Sequence, residues 1–224
     1  MQNLEYTVNL DFARPDSKLL AAFEGMPSAG ICDCLGRMAA LDSAIVPMNT
    51  EKLLGPAFTV KVPEGDNLMV HMALDLANPG DILVVDAGGA AGRAIIGELM
   101  ARYAEVRGLG GIIIDGAVRD AAALAELRIP VYAVAVTPAG PYKNGPGQIG
   151  VSISVGGQVI SAGDILAGDE DGVVVVRPHE AEAVAPAVRA LMDREAATLS
   201  AIAEQREFER PWLSQVLKDR GLEP

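Results

Sequence analysis

The sequence predicts an α/β fold, in which buried strands alternate with helices that cover them. Three observations carry this. Short aliphatic runs, ILVV at 82–85, GGIIIDG at 110–116 and IPVYAVAV at 129–136, have the length and β-branched content of strands buried on both faces. Segments of helical periodicity separate them, and the connections are short, which is the order of successive βαβ units. Half of the residues are hydrophobic but only 4% are aromatic, so the core must be built from closely packed Ala, Val, Leu and Ile.

In chain order, residues 15–40 read as two packing helices with a small-residue break at Pro27, Ser28, Ala29 and Gly30, where Ser28 is placed to cap the second. AIVPMN at 44–49 and GPAFTVKV at 55–62 are short strand-like stretches. DNLMVHMALDLA at 66–77 has its apolar residues at helical spacing. The strand at 82–85 runs into the glycine-rich DAGGAAG, after which RAIIGELMARYAEVRG at 93–108 is expected to be helical. The strand at 110–116 is followed by a short helix in RDAAALAEL at 119–127 and the strand at 129–136.

Beyond Thr137 the character changes. The loop PAGPYKNGPG precedes IGVSISVGG, QVISAGDILAGDEDG and VVVVRP, a succession of short strands and tight turns. A long helix is expected from about Glu180 to Glu209, with Val184, Val188, Leu191, Met192, Leu199 and Ile202 forming an apolar stripe, followed by the WLSQVL tail. No polar linker divides the two halves, so residues 1–224 are expected to form a single domain, with approximately 180–224 as a C-terminal helical extension. The length and apolar stripe of that extension suit either intrachain packing or a subunit contact.

Charge and cysteine content narrow the function classes. Eighteen basic against 30 acidic residues give a net charge of −12 with no dense Lys/Arg run, which disfavours direct nucleic-acid binding. The paucity of rings removes stacking platforms for single strands. Cys32 and Cys34 are too few for a disulfide scaffold and wrongly spaced for a zinc knuckle, so they read as reduced thiols. Without a leader-like start or an apolar run of membrane-spanning length, a cytoplasmic protein with no membrane association is expected.

Chemistry concentrates at two strand ends. In GGIIIDGAVRD a hydrophobic strand delivers Asp115, Gly116, Arg119 and Asp120, and open α/β sheets bind ligands beyond the carboxyl ends of their strands. Arg119 can clamp a carboxylate through its planar fork, and Asp120 offers a hard oxygen to Mg²⁺ or Mn²⁺. A strand-end salt bridge with Asp115 or Asp120 capping the next helix is the bland alternative. The second segment, DAGGAAGRAIIGELM at 86–100, can bring backbone amides to an anion at a helix start, and its Glu98 can serve proton transfer or be a solvated first-turn residue. Neither a Walker A nor a dinucleotide fingerprint is present, which also disfavours methyl transfer from S-adenosylmethionine. His71 suits either a site or a core helix position, and His179 a terminal contact. Lys18, Lys52, Lys61, Lys143 and Lys218 show no buried strand-end setting for a Schiff base.

The run GELMARYAEVRGLGGIIIDGAVRD resembles the signature of the pyruvate aldolase family that includes 4-hydroxy-4-methyl-2-oxoglutarate/4-carboxy-4-hydroxy-2-oxoadipate aldolase and shares its fold with the ribonuclease E activity regulator. The resemblance extends through DNLMVHMALDLANPGDILVVDAGG and GDILAGDEDGVVVV, roughly Ser28 to Pro178. It implies an α/β/β swivelling-type domain assembled as a homotrimer or homohexamer, with sites near subunit boundaries. It also implies a divalent cation, Mg²⁺ or Mn²⁺, held by Asp120, and a small anionic keto acid bound by Arg119 and the backbone of Gly97, Glu98, Leu99 and Met100. Glu98 takes the place of a carboxylate contacting metal-bound water, where some relatives carry Asp. Arg93 is placed to receive a second carboxylate or to form a salt bridge, and Asp115 is a site or structural residue. The implied reaction is retro-aldol cleavage, with oxaloacetate decarboxylation using the same pyruvate enolate. The other branch of the resemblance implies a non-catalytic ribonuclease-binding regulator.

Overall fold

A computed structural model describes residues 6–222. The elements are β1 (Tyr6–Val8), α1 (Ser17–Ala21), α2 (Ser28–Cys34), β2 (Val46–Pro47), β3 (Leu53–Lys61), α3 (Leu68–Leu76), β4 (Ile82–Ile96), α4 (Glu98–Val106), β5 (Gly111–Val118), α5 (Ala121–Ala125), β6 (Val131–Val136), β7 (Gly147–Ile149), β8 (Ile153–Val155), β9 (Gln158–Ile160), β10 (Ile165–Asp169), β11 (Gly172–Val176), α6 (Pro178–Gln205) and α7 (Pro211–Asp219).

The centre is a sheet in the order β1-β7-β3-β4-β5-β6-β2, with β3, β4, β5 and β6 parallel. Strand β3 belongs to two layers. Its first half, Leu53–Pro56, pairs antiparallel with β10, and its second half, Ala57–Lys61, pairs with β4. Gly55 lies at this crossover, where a Cβ would stand 2.5 Å from the carbonyl oxygen of Gly80.

Side-chain alternation builds the layers. Phe58, Val60, Leu83, Val85, Ile112 and Ile114 face α3 and α4, while Ala57, Ile82, Val84, Ile113 and Tyr132 face Leu166, Val173 and Val175 of the β10–β11 layer. The opposite faces of those strands, Ile165, Ala167, Val174 and Val176, pack under α2 and α6. The VVVV run at 173–176 is therefore apolar on both faces because it is covered on both. This is the α/β/β arrangement, with a helical layer added outside.

Four local expectations are corrected. The helix expected from Arg93 begins at Glu98, because Ala94 and Ile96 return to the sheet opposite Ala117 and Val118 after the glycine-rich stretch bulges out of register. Ser28 does not cap its helix. Pro27 holds that position, and the Ser28 amide and hydroxyl donate to Asp169 at 2.8 and 2.6 Å, tying α2 to the end of β10. The C-terminal helix stops at Gln205, where Arg206 adopts a left-handed conformation, and Pro211 starts a separate α7. The apolar stripe on α6 divides: Val184 and Val188 are buried and Met192 packs beside them, but Leu199 and Ile202 are exposed. Among the described residues no helix is long and apolar enough to cross a membrane.

Candidate functional site

The parallel strands β4, β5 and β6 end together, and their exits form the site. Backbone hydrogen bonds fix the junction: the Arg119 amide donates to Ile96 O (3.0 Å) and the Thr137 amide to Val118 O (2.9 Å). Strand β4 passes through Gly97 into α4, and a Cβ on Gly97 would collide with Asp120 Oδ2 and lie 2.8 Å from Arg119 Cγ. Any larger residue at 97 would require the Asp120 and Arg119 side chains to shift.

The junction opens on a cavity of about 270 Å³ lined by Asn67, His71, Ile95, Gly97, Leu99, Met100, Arg119, Gly140, Pro141 and Lys143, among others. That size suits a small acid rather than a nucleotide. The first-turn amides of α4 at Leu99 and Met100 have no intrahelical acceptor and sit at the positive end of the helix dipole. With Arg119 and Lys143 they give the cavity an anion-binding character. An adjoining depression is lined by Arg119, Asp120, Val136, Thr137 and Pro138, so Arg119 stands between the two.

Of the residues expected from the sequence, Gly97, Leu99, Met100, Arg119 and His71 thus line the cavity. Asp120 lies beside it. Its Oδ2 accepts from the Glu98 amide at 3.0 Å and lies 3.6 Å from Arg119 Nε, while its backbone is left-handed (φ 61°). Asp120 therefore braces α4 across the strand gap instead of capping α5, which follows it. The Glu98 carboxylate is held by Arg102 Nε at 2.8 Å, along the outside of α4.

Arg93 and Asp115 are placed elsewhere. Arg93 donates to Gly140 O (2.8 Å) and stacks over Tyr142, so it is engaged in holding the loop that closes the cavity. Asp115 points to the opposite side of the sheet, toward the Gly156 amide (3.4 Å). Burial, reinforced by the charges of Asp86 and Asp42, pushes its carboxyl above the usual range. His71 is pushed below the ordinary imidazole value by burial and by Lys143, against the opposing pull of Asp75.

Asn67 and the loop at 140–143 were not singled out by the sequence reading. Lys143, which showed no strand-end setting in the sequence, reaches the site because its loop folds back over the exits of β4 and β5. Buried Asp66 staples it there, accepting from the Asn144 and Gly145 amides at 2.6 and 3.1 Å and from the Leu68 amide at 2.9 Å. An Asp-Asn pair directly before a helix was the available signal, although it reads first as an ordinary capping pattern.

Among the described residues no group of three or more His, Cys, Asp or Glu side chains gathers as a metal cage. A closed structural site is therefore not what this geometry offers. A single carboxylate with a free oxygen, next to an anion pocket, does fit Mg²⁺ or Mn²⁺, which bind through one or two carboxylates with water and substrate oxygens completing the shell.

Residues 28–175 match the family model described as RraA-like, Aldolase/RraA. The chain belongs to the RraA-like family. It is 40% identical over 166 residues to a Halalkalibacterium halodurans protein named "Putative 4-hydroxy-4-methyl-2-oxoglutarate aldolase", covering 74% of this chain and 79% of that one. Among solved structures it resembles Streptomyces coelicolor RraAS2, titled an unusual member of the RNase ES inhibitor RraA protein family, with a TM-score of 0.71 at 29% identity, covering 83% of this chain and 96% of that one. The RNA-processing inhibitor RraA of Thermus thermophilis matches with a TM-score of 0.62 at 31% identity, over 66% and 91% of the respective chains. The RraA-like match begins at α2 and ends within β11, so it spans every strand that builds the site.

Proposed function

We propose that this RraA-like protein is a divalent-metal-dependent aldolase that releases pyruvate from 4-hydroxy-4-methyl-2-oxoglutarate or 4-carboxy-4-hydroxy-2-oxoadipate, and that the same site decarboxylates oxaloacetate. The observation that carries the reading is the convergence of Arg119 and the free α4 amides on one small cavity with Asp120 at its edge. The name of the 40%-identical relative supports it.

In this reading the Leu99 and Met100 amides bind the C1 carboxylate, and the Arg119 guanidinium orients the carboxylate and keto oxygens through its planar fork. Asp120 holds Mg²⁺ or Mn²⁺, which when bound supplies Lewis-acid polarisation of the keto group. Loss of the C4 hydroxyl proton forms the new carbonyl, the C3–C4 bond breaks, and its electron pair passes into the pyruvate enolate. Protonation at C3 then completes pyruvate. We assign proton transfer to Glu98 at the start of α4, whose carboxylate must leave its pair with Arg102 to reach the cavity. In oxaloacetate the departing group is CO₂ and the enolate is the same.

A coupled pyruvate assay tests this with both substrates, with Mg²⁺, Mn²⁺ or chelator, and with Arg119→Ala and Asp120→Ala. Metal-dependent pyruvate release, lost in both variants, is the expected result. Undiminished cleavage by both variants would sink the site assignment, and no pyruvate from either substrate would sink the enzyme reading.

The names of the two solved structures favour a second reading, a non-catalytic ribonuclease-binding regulator. A tight ribonuclease complex without lyase activity would establish it. We also propose that the protein is a cytoplasmic homotrimer or homohexamer. The exposed Leu199, Ile202, Phe208 and Trp212 of the C-terminal helical region support an intersubunit contact, and light scattering of the eluted protein tests it.

A further inference from the structure

Asn67 is placed where an Asn normally caps a helix, immediately before α3, yet its side chain makes no capping bond. Its Nδ2 donates instead to Ile95 O at 2.8 Å and toward Met100 Sδ at 3.4 Å. Both partners are acceptors, so the amide cannot be turned over, and Oδ1 must face the other way. The residue is 2% exposed and lines the cavity, and Oδ1 is a buried acceptor that no donor among the described residues reaches. A buried acceptor left without a donor is destabilising. Its persistence at a ligand cavity points to a donor brought by the ligand.

The surroundings narrow what that donor is. Arg119, Lys143 and the α4 amides favour an anionic ligand and oppose an ammonium group. The neutral donor that a small oxo acid carries is a hydroxyl. We propose that Asn67 Oδ1 accepts the hydroxyl of a hydroxylated oxo acid, making Asn67 the residue that distinguishes such acids from their deoxy counterparts. On the aldolase reading, on which the choice of ligand rests, this is the C4 hydroxyl whose proton is lost in cleavage. Asn67 then holds the O–H along one direction in the bound acid, and this bond is given up when the proton turns to another acceptor, because the carbonyl oxygen that forms has no hydrogen to donate. Asn67 is thus a binding and orienting residue, with the proton passing elsewhere.

The test uses the whole protein with Mg²⁺ and compares 4-hydroxy-4-methyl-2-oxoglutarate with 4-methyl-2-oxoglutarate, which lacks the hydroxyl and has no aldol bond to cleave. Calorimetry gives Kd for the deoxy acid. The hydroxylated acid is followed by kcat/KM if it is cleaved and by Kd if it is not. Asn67→Ala is expected to weaken the hydroxylated acid about 10- to 100-fold while changing the deoxy acid less than about 3-fold. Asn67→Asp loses the same bond to Ile95 but keeps an acceptor oxygen, so it should weaken both anions together and retain the preference between them. Equal losses for both acids in Asn67→Ala, or no loss in either, would overturn the assignment and leave the aldolase reading standing. A hydroxyl preference that Asn67→Ala abolishes, in a protein that releases no pyruvate, would do the reverse. Failure of the wild-type protein to bind or cleave the hydroxylated acid would overturn both.

Discussion

Asp120 Oδ2 accepts a hydrogen bond from the backbone amide of Glu98 at 3.0 Å, joining the exit of β5 to the first turn of α4. The residue proposed to hold the cation is thereby also a helix cap for a neighbouring strand unit. Its two oxygens divide the tasks, with Oδ2 turned to the amide and Oδ1 without a hydrogen-bond partner among the described residues. The same bond fixes the amides of Leu99 and Met100 relative to Arg119, so the anion pocket and the cation position form one rigid corner.

Two substitutions separate those tasks. Asp120→Asn keeps an acceptor for the Glu98 amide, and asparagine tolerates the left-handed backbone at this position better than most residues. Asp120→Ala loses the bond and is strained there. Asparagine is expected to leave the melting temperature within about 1 °C, and alanine to lower it by about 2–4 °C, the equivalent of roughly 1 kcal/mol in a chain of this size. Metal-dependent pyruvate release should fall at least about 100-fold in both. Scanning calorimetry beside the pyruvate assay checks the split; equal melting temperatures would show that the cap contributes nothing.

Asp115 provides a contrast at the same strand. Its carboxyl is raised by burial and by Asp86 and Asp42, so the folded state holds its proton more tightly than the unfolded chain does. Stability from this group is present at low pH and is lost as pH rises from the unfolded value near 4 through the raised folded value. At neutral pH the charged form is a liability. Asp115→Asn should therefore raise the melting temperature by about 1–3 °C at pH 7 and leave kcat/KM unchanged, since the side chain faces away from the cavity. The gain should vanish when unfolding is measured near pH 3.

The contrast between Asp115 and Asp120 also shows what the sequence could tell. Both stand in IIIDGAVRD, and periodicity alone placed that run as a strand ending in charge. Which carboxylate reaches the site depends on alternation across the sheet, and this resolves once Ile112 and Ile114 are seen to face the helices while Ile113 and Asp115 face the second β layer. The parallel strands were readable because burial on both faces leaves an unbroken aliphatic run, and α3 from its helical spacing, whereas the α/β/β layering came from the family resemblance. The strand at 93–96 was hidden by glycine bulges, which break the run without ending the strand. Lys143 and Asn67 lie 76 residues apart in sequence, and they are brought together by the backbone pairing of Asn67 with Tyr142 (3.0 Å) and by the Asp66 contacts to the Asn144 and Gly145 amides. No local pattern encodes such a contact.

His71 should make oxo-acid affinity depend on pH. Burial and Lys143 hold its imidazole below the usual 6.5, while Asp75, itself bonded to Tyr103, pulls the other way; Arg119 lines the same cavity. The free protein thus carries a neutral His71 at pH 7. A bound anion favours the charged form, so binding takes up a proton and tightens as pH falls from 6.5 toward the depressed value. Over that interval the fold itself loses stability, because the unfolded chain binds the proton more readily. Inhibition constants for oxalate, a pyruvate-enolate mimic, measured between about pH 5 and 8 should fall on acidification in the wild type and flatten in His71→Asn. A parallel slope in both proteins would remove His71 from the site.

Asp66 never touches the cavity, yet the position of Lys143 depends on it. Three backbone amides donate to its buried carboxylate, two from the 144–145 loop and one from the start of α3. In Asp66→Asn an NH₂ group would replace one acceptor and face a donor, which costs about 2–3 kcal/mol and should lower the melting temperature by about 4–10 °C. The functional consequence is expected in KM, because the loop that presents Lys143 to the anion would loosen while Arg119 and Asp120 stay in place. A double-mutant cycle isolates this route. Lys143→Ala should raise KM for the diacid by about 5- to 20-fold, and adding Asp66→Asn to it should raise KM little further. If the two effects instead multiply in full, Asp66 acts on the site through α3 and Asn67 and not through the lysine loop, and the hydroxylated and deoxy acids would then respond to Asp66→Asn by different factors.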